Sequence, residues 1–411
     1  MGLRLLHTAD WHLGQHLHGI SRQAEHERFA DWLLDELASR RVDALLIAGD
    51  VFDSANPPAA ASSLWFDFLA RAVRRLPGID IVVVGGNHDS AARLDAPSPV
   101  LSQFGVRVVG GPRRAGALRD ADEMAVPICD AAGKQAAWVA AVPFLRPQDL
   151  PRIEGGEQDL AAGVAAFYAR VLDAIRSRRA PWQAIVAMGH CYLTGSRLSE
   201  QSERKILGGN LHPVPAEIFP DDVAYAALGH LHLAQLVGRE SVRYAGSPIP
   251  LSLAERAYPH QVLCVDLDEA ACKAIEPVCV PRFCEILRLP EEGELDADAA
   301  LAELESLERP AAEIEPLVEI VLRLSGPRPG LKDEIESVLA CKGVRLAALR
   351  VERGPTDAPG SRERTSLAEL TPERVLASCW QQQFGDAPLP DSLLAAFAEL
   401  LDEVLRAEEA V

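Results

Sequence analysis

The sequence predicts an α/β fold in which buried strands alternate with amphipathic helices. Between Leu3 and Asp89, three short apolar runs each end in a polar motif, and apolar residues at helical spacing follow. Strands that are apolar throughout and alternate with helices are typical of a sheet covered on both faces. Ligands bind such sheets at the carboxyl ends of the strands. All three polar motifs lie at these ends, so the sequence predicts a binding site there.

The first motif is His7-Thr-Ala-Asp10-Trp-His12-Leu-Gly, which follows the apolar run Leu3 to Leu6. Residues i and i+2 of an extended segment point to the same side, so Asp10 and His12 leave the predicted strand together. A carboxylate beside an imidazole suits a borderline divalent metal ion. A D-x-H pair on its own is more often a plain polar turn, so the rest of the chain decides its meaning.

The next two strands repeat the pattern with other polar residues. The run Ala44 to Ala48 ends in Gly49-Asp50-Val-Phe-Asp53, and the run Ile79 to Val84 ends in Gly85-Gly-Asn-His-Asp89. The glycines permit tight turns and a close approach of the backbone to a ligand. Helical spacing predicts helices over residues 22 to 40 and 59 to 75.

Residues 104 to 265 continue this arrangement and complete a predicted first domain of residues 1 to 265. Shorter strands are predicted between residues 104 and 145, and a helix over residues 158 to 177. Two further apolar strands follow, and they end in Gly189-His190-Cys191 and in Gly229-His230-Leu-His232.

The character of the chain changes after residue 265. Strands and helices alternate once more and predict a small α+β domain over residues 266 to 352. Residues 353 to 368 are rich in Gly, Pro and charge and are predicted to be a linker. Two amphipathic helices follow within residues 369 to 408, and the broad apolar stripe of the second either packs back on the protein or binds a partner.

Composition narrows the class of protein. The chain has 411 residues, 48% of them hydrophobic, which is enough for two or three domains. No apolar run approaches the roughly 18 residues of a membrane span, and no secretory signal is apparent. The eight cysteines form no C-x-x-C pair. They fit free thiols in a reducing cytoplasm better than a disulfide framework.

The net charge of −19 argues at first against a nucleic-acid partner. Residues 266 to 411, however, carry 31 acidic and 15 basic side chains, whereas residues 1 to 265 carry 29 acidic and 26 basic ones. The acidity therefore lies mostly in the C-terminal third. Divalent cations bound to the N-terminal part would make its site locally positive.

Five predicted strand ends together supply eight candidate metal ligands or catalytic groups. A single buried histidine is more often a hydrogen-bonded core residue than a ligand, but five that each follow a strand are hard to explain in that way. The pattern therefore predicts a metal site. The candidates are Asp10, His12, Asp50, Asn87, His88, His190, His230 and His232.

The motifs D-x-H, G-D, G-N-H-D, G-H and G-H-x-H resemble, in that order, those of the calcineurin-like metallophosphoesterases. That resemblance implies a β-sandwich flanked by helices. The residues around the motifs, H-T-A-D-W-H-L-G, S-R-Q-A-E-H, A-G-D-V-F-D and G-N-H-D-S, look closer still to the SbcD family of nuclease subunits. The motif match covers about residues 1 to 255, and a small capping domain followed by helices fits the same family.

The resemblance implies a pair of divalent ions that share Asp50. Mixed nitrogen and oxygen ligands suit Mn²⁺, and Fe, Zn or Co occur in some relatives, so the ligand set alone does not choose the metal. Asp10, His12, Asp50 and His232 would hold one ion, and Asp50, Asn87, His190 and His230 the other. His88 would bind neither ion; it would protonate the leaving 3′ oxygen or stabilise the transition state. Asp53 and Asp89 would orient ligands, although a plain structural role in their turns is equally open.

The resemblance also implies a DNA nuclease. It would act as a 3′→5′ exonuclease on double-stranded ends and as an endonuclease on single strands and hairpins. Its partner would be an SbcC-type coiled-coil ATPase bound to the C-terminal helices, in a heterotetramer that contains a homodimer of this chain. A phosphatase of the same superfamily and a scaffold with a retired site are the alternatives. The chain lacks the G-D-x-x-D-R-G and G-N-H-E of the Ser/Thr phosphatases.

A few other side chains are weaker candidates. Five basic side chains are candidates for contacts with DNA phosphates, although each such residue is more often a plain surface charge. Trp11 is predicted to pack in the core rather than stack on a base. Cys191 is predicted to point away from the site rather than act as a nucleophile. The candidate DNA contacts are Arg22, Arg93, Arg197, Arg204 and Lys205.

Overall fold

A computed structural model describes residues 2–114, 116–150, 160–197, 213–309, 312–324, 326 and 328–352, and beyond them positions 376, 380, 389, 390, 393, 394, 396 and 397. The chain divides into two compact units, residues 1–353 and 354–411. The predicted linker lies outside the described residues, as do the predicted C-terminal helices except at those isolated positions. Both therefore stay predictions. No helix among the described residues is long and apolar enough to cross a membrane.

The described residues form short strands and helices throughout the first unit. The strands are β1 (Leu3–Thr8), β2 (His16–Leu17), β3 (Ile20–Ser21), β4 (Ala44–Ala48), β5 (Asp80–Val84), β6 (Val106–Val109), β7 (Arg113–Arg114), β8 (Ala117–Leu118), β9 (Ala125–Cys129), β10 (Gln135–Ala141), β11 (Ala184–His190), β12 (Val223–Gly229), β13 (Gln235–Val237), β14 (Arg239–Tyr244), β15 (Gln261–Asp268), β16 (Ala271–Cys279), β17 (Ile286–Leu289), β18 (Leu317–Arg323) and β19 (Arg345–Glu352). The helices are α1 (Gln23–Ser39), α2 (Ala59–Arg75), α3 (Ala91–Asp95), α4 (Ser98–Leu101), α5 (Ala121–Met124), α6 (Leu160–Arg176), α7 (Ala297–Ser306) and α8 (Leu331–Lys342).

Two six-stranded sheets make up the larger part of the first unit. The first has the order β16-β15-β1-β4-β5-β6 and the second β13-β14-β12-β11-β10-β9. Both have parallel centres, β1-β4-β5-β6 and β14-β12-β11-β10. Apolar side chains from both sheets, among them Leu46, Val82, Val139, Val186 and Tyr225, fill the space between them. Sheets packed face to face form a β-sandwich, so the predicted fold class is confirmed.

Helices cover the outer faces of the sandwich. α1 and α2 pack on the first sheet, where Leu33 and Phe68 join the apolar side chains Leu45 and Val83. α6 contacts β9 and β10 of the second sheet. The parallel strands therefore lie between helices and apolar neighbours on both faces, which explains why their sequences are apolar throughout.

The strand register brings the polar motifs to one edge of the sandwich. Thr8 pairs with Ile47, and Ala48 pairs with Val84, so β1, β4 and β5 end almost level. In the second sheet His190 pairs with Gly229, which aligns the ends of β11 and β12. The side chains that follow these strands emerge together, as the strand pattern predicts.

A three-stranded parallel sheet, β17-β18-β19, forms the core of the small capping region together with α7 and α8. The predicted boundary at residue 265 is too early. The strand Ala271–Cys279 pairs with β15 along its whole length and belongs to the first sheet. The sequence of a polar β-hairpin resembles the start of a new domain. In the structure, the turn at Glu269 joins β15 to β16, which is the edge strand of the same sheet.

Candidate metal centre

Side chains from five strand ends converge at the carboxyl edge of the two sheets. Asp10 and His12 follow β1, Asp50 follows β4, Asn87 and His88 follow β5, His190 ends β11, and His230 and His232 follow β12. Asp10, His12, Asp50 and His190 are each no more than 3% exposed. Buried charged groups of this kind require partners or a metal ion.

The loops at this edge have unusual backbone conformations. Asp10, His12 and Asp50 have φ angles of 54°, 49° and 48°, in the left-handed region that non-glycine residues rarely adopt. The backbone N–H groups of Asp10 and His12 donate to the carbonyls of Gly49 and Asp50, both at 3.0 Å. Strained residues held in this way cluster at functional sites.

Trp11 anchors the first loop. Its ring is 1% exposed and lies 5.1 Å from Phe29, 5.6 Å from Trp65 and 5.0 Å from Phe68, centroid to centroid. Its indole N–H donates to the Thr8 hydroxyl at 3.0 Å. The prediction that Trp11 packs in the core is confirmed.

Asp50 lies between two groups of potential ligands. Its Oδ2 is 3.5 Å from Nε2 of His12 and 3.3 Å from Nε2 of His190. Its Oδ1 accepts the backbone N–H of His88 at 2.9 Å, which orients the carboxylate. Ligand atoms of Asp10, Asp50 and His190 all lie within 4.8 Å of one another.

The two groups differ in composition. Asp10, His12 and His232 form one set, with ligand atoms within 4.8 Å of one another. In the other set, Oδ1 of Asn87 is 2.9 Å from Nε2 of His190 and 2.9 Å from Nδ1 of His230. Asp50 lies near both sets, which is the geometry that two neighbouring ions sharing a ligand require.

The donor atoms at this edge fit a divalent cation. Oδ2 of Asp10 and Nε2 of His12 are buried and have no hydrogen-bond partner among the described residues. Nδ1 of His12 lies 3.2 Å from the carboxylate of Asp53 and so carries the proton, which leaves the lone pair on Nε2. Unpartnered buried acceptors of this kind repel one another unless a proton or a metal ion lies between them.

Glycine permits the close packing of these ligands. A Cβ atom at Gly49, whose φ is +91°, would overlap Nδ1 of His190. A Cβ atom at Gly86 would overlap the Asp50 carboxylate. The glycines that precede the polar residues in sequence are therefore required by the space that the ligands occupy.

The charges of Asp50 and His190 strongly affect each other's pKa. Burial disfavours the charged forms of Asp50 and His190, but their mutual attraction outweighs it: the pKa of His190 is raised to about 9, and the pKa of Asp50 lies well below its usual range. Burial lowers the pKa of His230 to about 3, so this imidazole is neutral and ready to bind a metal.

We expect the affinity of these residues for a divalent metal ion to rise with pH. Below a pKa of about 9 for His190, a metal ion must displace the proton that this imidazole shares with Asp50. Affinity should therefore increase by up to about tenfold per pH unit between roughly pH 6 and 9, with release of a proton. Titration calorimetry in buffers of different ionisation enthalpy measures both quantities. An affinity that does not change with pH would contradict the assignment of His190 as a ligand.

His88 lies beside the two sets without belonging to the predicted ligands. Its Nδ1 is 2.9 Å from the Asp53 carbonyl oxygen, and its ring centroid is 4.8 Å from that of His12. A nitrogen of His88 also lies within 4.8 Å of ligand atoms of His12 and Asp50. Distance alone therefore permits His88 either to bind metal or to act on a substrate.

Asp53 and Asp89 support the ligands from behind. Oδ1 of Asp53 is 3.2 Å from Nδ1 of His12, so this carboxylate orients a ligand imidazole. Asp89 accepts the backbone N–H groups of Val51, Phe52 and Gly86 at 2.9–3.1 Å and joins the loops after β4 and β5. Burial, and then the charge of Asp50, raises the pKa of Asp89 to about 6.

Among the candidate DNA contacts, Arg22 is wrong. Its side chain is buried. Nε and Nη2 of the guanidinium donate to the two carboxylate oxygens of Glu25, and Nη1 donates to the Pro250 carbonyl oxygen at 2.5 Å. Arg93 is exposed and donates to the Asn56 side-chain oxygen at 2.5 Å, and Arg197 is also exposed. Arg204 and Lys205 lie outside the described residues.

Cys191 shows no sign of activation. Burial raises the pKa of its thiol to about 12, so it is not a thiolate near neutral pH. This agrees with the prediction that Cys191 is not a nucleophile.

Three groups at the site were missed by sequence reasoning. Glu255 is fully buried, and its Oε1 lies 2.9 Å from Nδ1 of His232. His26 is also fully buried, and its Nε2 lies 2.8 Å from the Trp11 carbonyl oxygen. The Phe144 ring lies 6.2 Å from that of His190 and 6.3 Å from that of His230. Glu255 and His26 follow no parallel strand, and Phe144 follows β10 but is apolar, so the polar signal that identified the candidate ligands does not apply to them.

Comparison with known proteins agrees with this geometry. The family described as calcineurin-like phosphoesterase matches residues 3–234, and the family described as type 5 capsule protein repressor C-terminal domain matches residues 282–384. A protein of Rhodobacter capsulatus, named as the SbcD component of the SbcCD nuclease, is 40% identical over 92% of this chain and 94% of its own. Proteins of the same name from Escherichia coli K12 and Bacillus subtilis are 32% and 34% identical, over 91% and 64% of this chain and 91% and 66% of their own. The chain therefore belongs to the SbcD family of nuclease subunits, within the calcineurin-like phosphoesterases.

Proposed function

We propose that this chain is a metal-dependent DNA nuclease that hydrolyses phosphodiester bonds at the edge of the sandwich. The observation that carries the proposal is the position of Asp50 between two sets of ligands, with His88 beside them. A pair of neighbouring ions suits in-line displacement at phosphorus. The relatives are named nuclease subunits, which supports a nucleic acid as the substrate.

The proposed ligands divide into two sets that share Asp50. Asp10, His12, Asp50 and His232 would hold one ion, and Asp50, Asn87, His190 and His230 the other. This mixture of nitrogen and oxygen donors suits Mn²⁺, the ion we propose, and also admits Fe, Zn or Co. When bound, the ions would supply a water nucleophile at neutral pH and neutralise charge that develops on the phosphoryl oxygens.

His88 is the proposed general acid. Since its Nδ1 proton is held by the Asp53 carbonyl oxygen, Nε2 is the atom that can gain and release a proton. Protonation of the leaving 3′ oxygen from this atom would avoid expulsion of an alkoxide. The carboxylate of Asp53 also contacts His12. Asp53 therefore fixes the position of His88, the proposed acid, relative to His12, a proposed metal ligand.

We propose the DNA substrates of this nuclease from its membership of the SbcD family. We expect 3′→5′ exonuclease activity on double-stranded ends and endonuclease activity on single strands and hairpins. The exposed Arg197, whose backbone N–H donates to the Gln235 side chain at 2.8 Å, is a surface charge that could hold a DNA phosphate.

The proposed partners follow from the name of the relatives, which are components of a complex called SbcCD. We propose that an SbcC-type coiled-coil ATPase binds residues 369–408, and that two copies of this chain form the centre of a heterotetramer. Exposed apolar side chains on α2 and around α4 support a surface for a second copy: Phe66 is 43% exposed, Val100 64% and Phe104 56%. A chromosomal DNA substrate would place the complex in the cytoplasm.

One assay separates a nuclease from the phosphatase and scaffold alternatives. The purified full chain, with Mn²⁺ and with or without its ATPase partner, is given an end-labelled duplex, a DNA hairpin and p-nitrophenyl phosphate. We expect cleavage of both DNA substrates and little release of nitrophenol from the monoester. Hydrolysis of the monoester alone would favour a phosphatase, and no hydrolysis of any substrate would favour a scaffold.

Removal of the C-terminal segment should separate partner binding from metal binding. A chain that ends at residue 352 retains all the proposed ligands and loses residues 369–408. We expect it to bind two equivalents of Mn²⁺ per chain but not to co-elute with the ATPase partner in size-exclusion chromatography. Co-elution of the shortened chain with the ATPase would place the partner surface elsewhere.

A further inference from the structure

A fully buried glutamate stands directly behind one proposed metal ligand. Glu255 lies in a short helical turn, Leu253–Ala257, and is 0% exposed. Its Oε1 is 2.9 Å from Nδ1 of His232, a residue that precedes it by 23 positions. No resemblance or motif in the sequence points to this contact.

The Glu255 carboxylate is itself firmly held. Oε1 also accepts the Ser252 hydroxyl at 3.3 Å, while Oε2 accepts the Leu251 backbone N–H at 2.8 Å and the Ser247 hydroxyl at 3.4 Å. These contacts occupy both oxygens of the carboxylate, which accepts hydrogen bonds and donates none. The group therefore has one orientation, with Oε1 directed at the imidazole.

The contact decides which nitrogen of His232 can bind a metal. Since the carboxylate must accept, Nδ1 of His232 carries the proton, and Nε2 has the lone pair. His232 is also one of the three residues whose ligand atoms lie within 4.8 Å of one another, with Asp10 and His12. A buried anion behind an imidazole fixes the tautomer and increases the basicity of the ligand nitrogen.

The other ligand imidazoles have different supports. Nδ1 of His12 faces Asp53, whose side chain is 30% exposed, and Nδ1 of His190 faces the backbone carbonyl of Ala48. Among the described residues, Glu255 is thus the fully buried carboxylate that contacts a proposed ligand imidazole without being a proposed metal ligand itself.

Hydrogen bonds link the segment before Glu255 to the loop that follows His12. Gln15, three residues beyond His12, donates to the Leu251 carbonyl oxygen at 2.9 Å, and Arg22 donates to that of Pro250 at 2.5 Å. The backbone N–H of Ser247 donates to the His232 carbonyl oxygen at 3.1 Å. The segment that carries Glu255 is therefore linked both to His232 and to the loop that follows His12.

We propose that Glu255 is a positioning residue that sets the tautomer and orientation of His232 for the metal ion bound by Asp10, His12 and Asp50. The inference rests on the proposed two-metal function. It predicts that loss of the carboxylate weakens one of two metal sites and leaves the other intact.

The test compares Glu255→Gln and Glu255→Ala with the parent chain. We expect Mn²⁺ binding at one site to weaken by about tenfold in Glu255→Gln and by up to about a hundredfold in Glu255→Ala, as loss of an outer partner does in other metal sites. With two equivalents of Mn²⁺, the spin-coupled electron paramagnetic resonance signal of the parent should give way to the signal of a single ion. In the metal-free variants, ¹⁵N imidazole spectra should show that His232 has lost its single Nδ1–H tautomer.

Glu319→Gln is the matched control, because Glu319 is a similarly buried glutamate that pairs with Arg350 in the capping sheet. It should lower the melting temperature and leave both Mn²⁺ affinities unchanged. Two unchanged affinities in both Glu255 variants would overturn the inference, as would an equal loss of affinity in Glu319→Gln. If the parent chain binds no Mn²⁺ while its His232 still shows one tautomer, the metal function fails and the positioning contact stands.

Discussion

Replacement of Asp50 by asparagine should abolish binding of both metal ions and lower phosphodiester hydrolysis by about a thousandfold or more. The carboxylate lies within 3.5 Å of both His12 and His190, so each set loses the same anionic ligand. Asparagine keeps the shape and removes the charge. The measurements are the Mn²⁺ content per chain by elemental analysis and the rate of bis(p-nitrophenyl) phosphate hydrolysis.

Asp80→Asn is a suitable control for this experiment. Asp80 stands at the opposite, amino end of β5 and accepts the Cys129 backbone N–H at 2.8 Å, far from the ligands along the strand. That variant should bind two ions and hydrolyse the diester at the parent rate. Normal binding of both ions by Asp50→Asn would show that the two sets do not share this carboxylate.

The sequence predicts the carboxyl ends of the parallel strands well. A parallel strand buried on both faces must be apolar, so its polar neighbour in sequence marks the edge where the chain leaves the sheet. Asp10, Asp50 and His190 were found by this rule, although they come from different sheets. The register of the sheets then brings them together without any further signal in the sequence.

Residues that support the ligands were much harder to predict. Arg22 and Glu25 have the spacing of an exposed ion pair on a helix, yet both are buried because the segment around Pro250 covers them. Glu255 lies in a short polar turn with no periodicity. Its role depends on a contact with a residue 23 positions away, and such contacts have no local pattern.

The segment S-R-Q-A-E-H, Ser21 to His26, supports the loop that carries Asp10 and His12 without contributing a proposed metal ligand. His26 carries its proton on Nε2 and donates it to the Trp11 carbonyl oxygen at 2.8 Å. Trp11 stands between Asp10 and His12, both in the left-handed region of φ. A buried donor at this carbonyl stabilises a turn that the backbone alone disfavours. Sequence resemblance identified the motif, but only the packing explains it.

Replacement of His88 by glutamine should lower the turnover of DNA by about a hundredfold to ten-thousandfold while both metal ions remain bound. The reason is that the proposed ligands are all retained and only the proton donor is lost. Glutamine can keep a hydrogen bond to the Asp53 carbonyl oxygen, which Nδ1 of His88 makes at 2.9 Å.

The choice of leaving group tests the chemical role of His88 directly. A nitrophenolate leaves without protonation, whereas the 3′ oxygen of a nucleotide does not. We therefore expect His88→Gln to hydrolyse thymidine 5′-(p-nitrophenyl phosphate) at close to the parent rate and to fail on DNA. Equal losses on both substrates would assign His88 to transition-state stabilisation instead. Loss of one Mn²⁺ equivalent would make it a metal ligand, which its distance of 4.8 Å or less from ligand atoms of His12 and Asp50 allows.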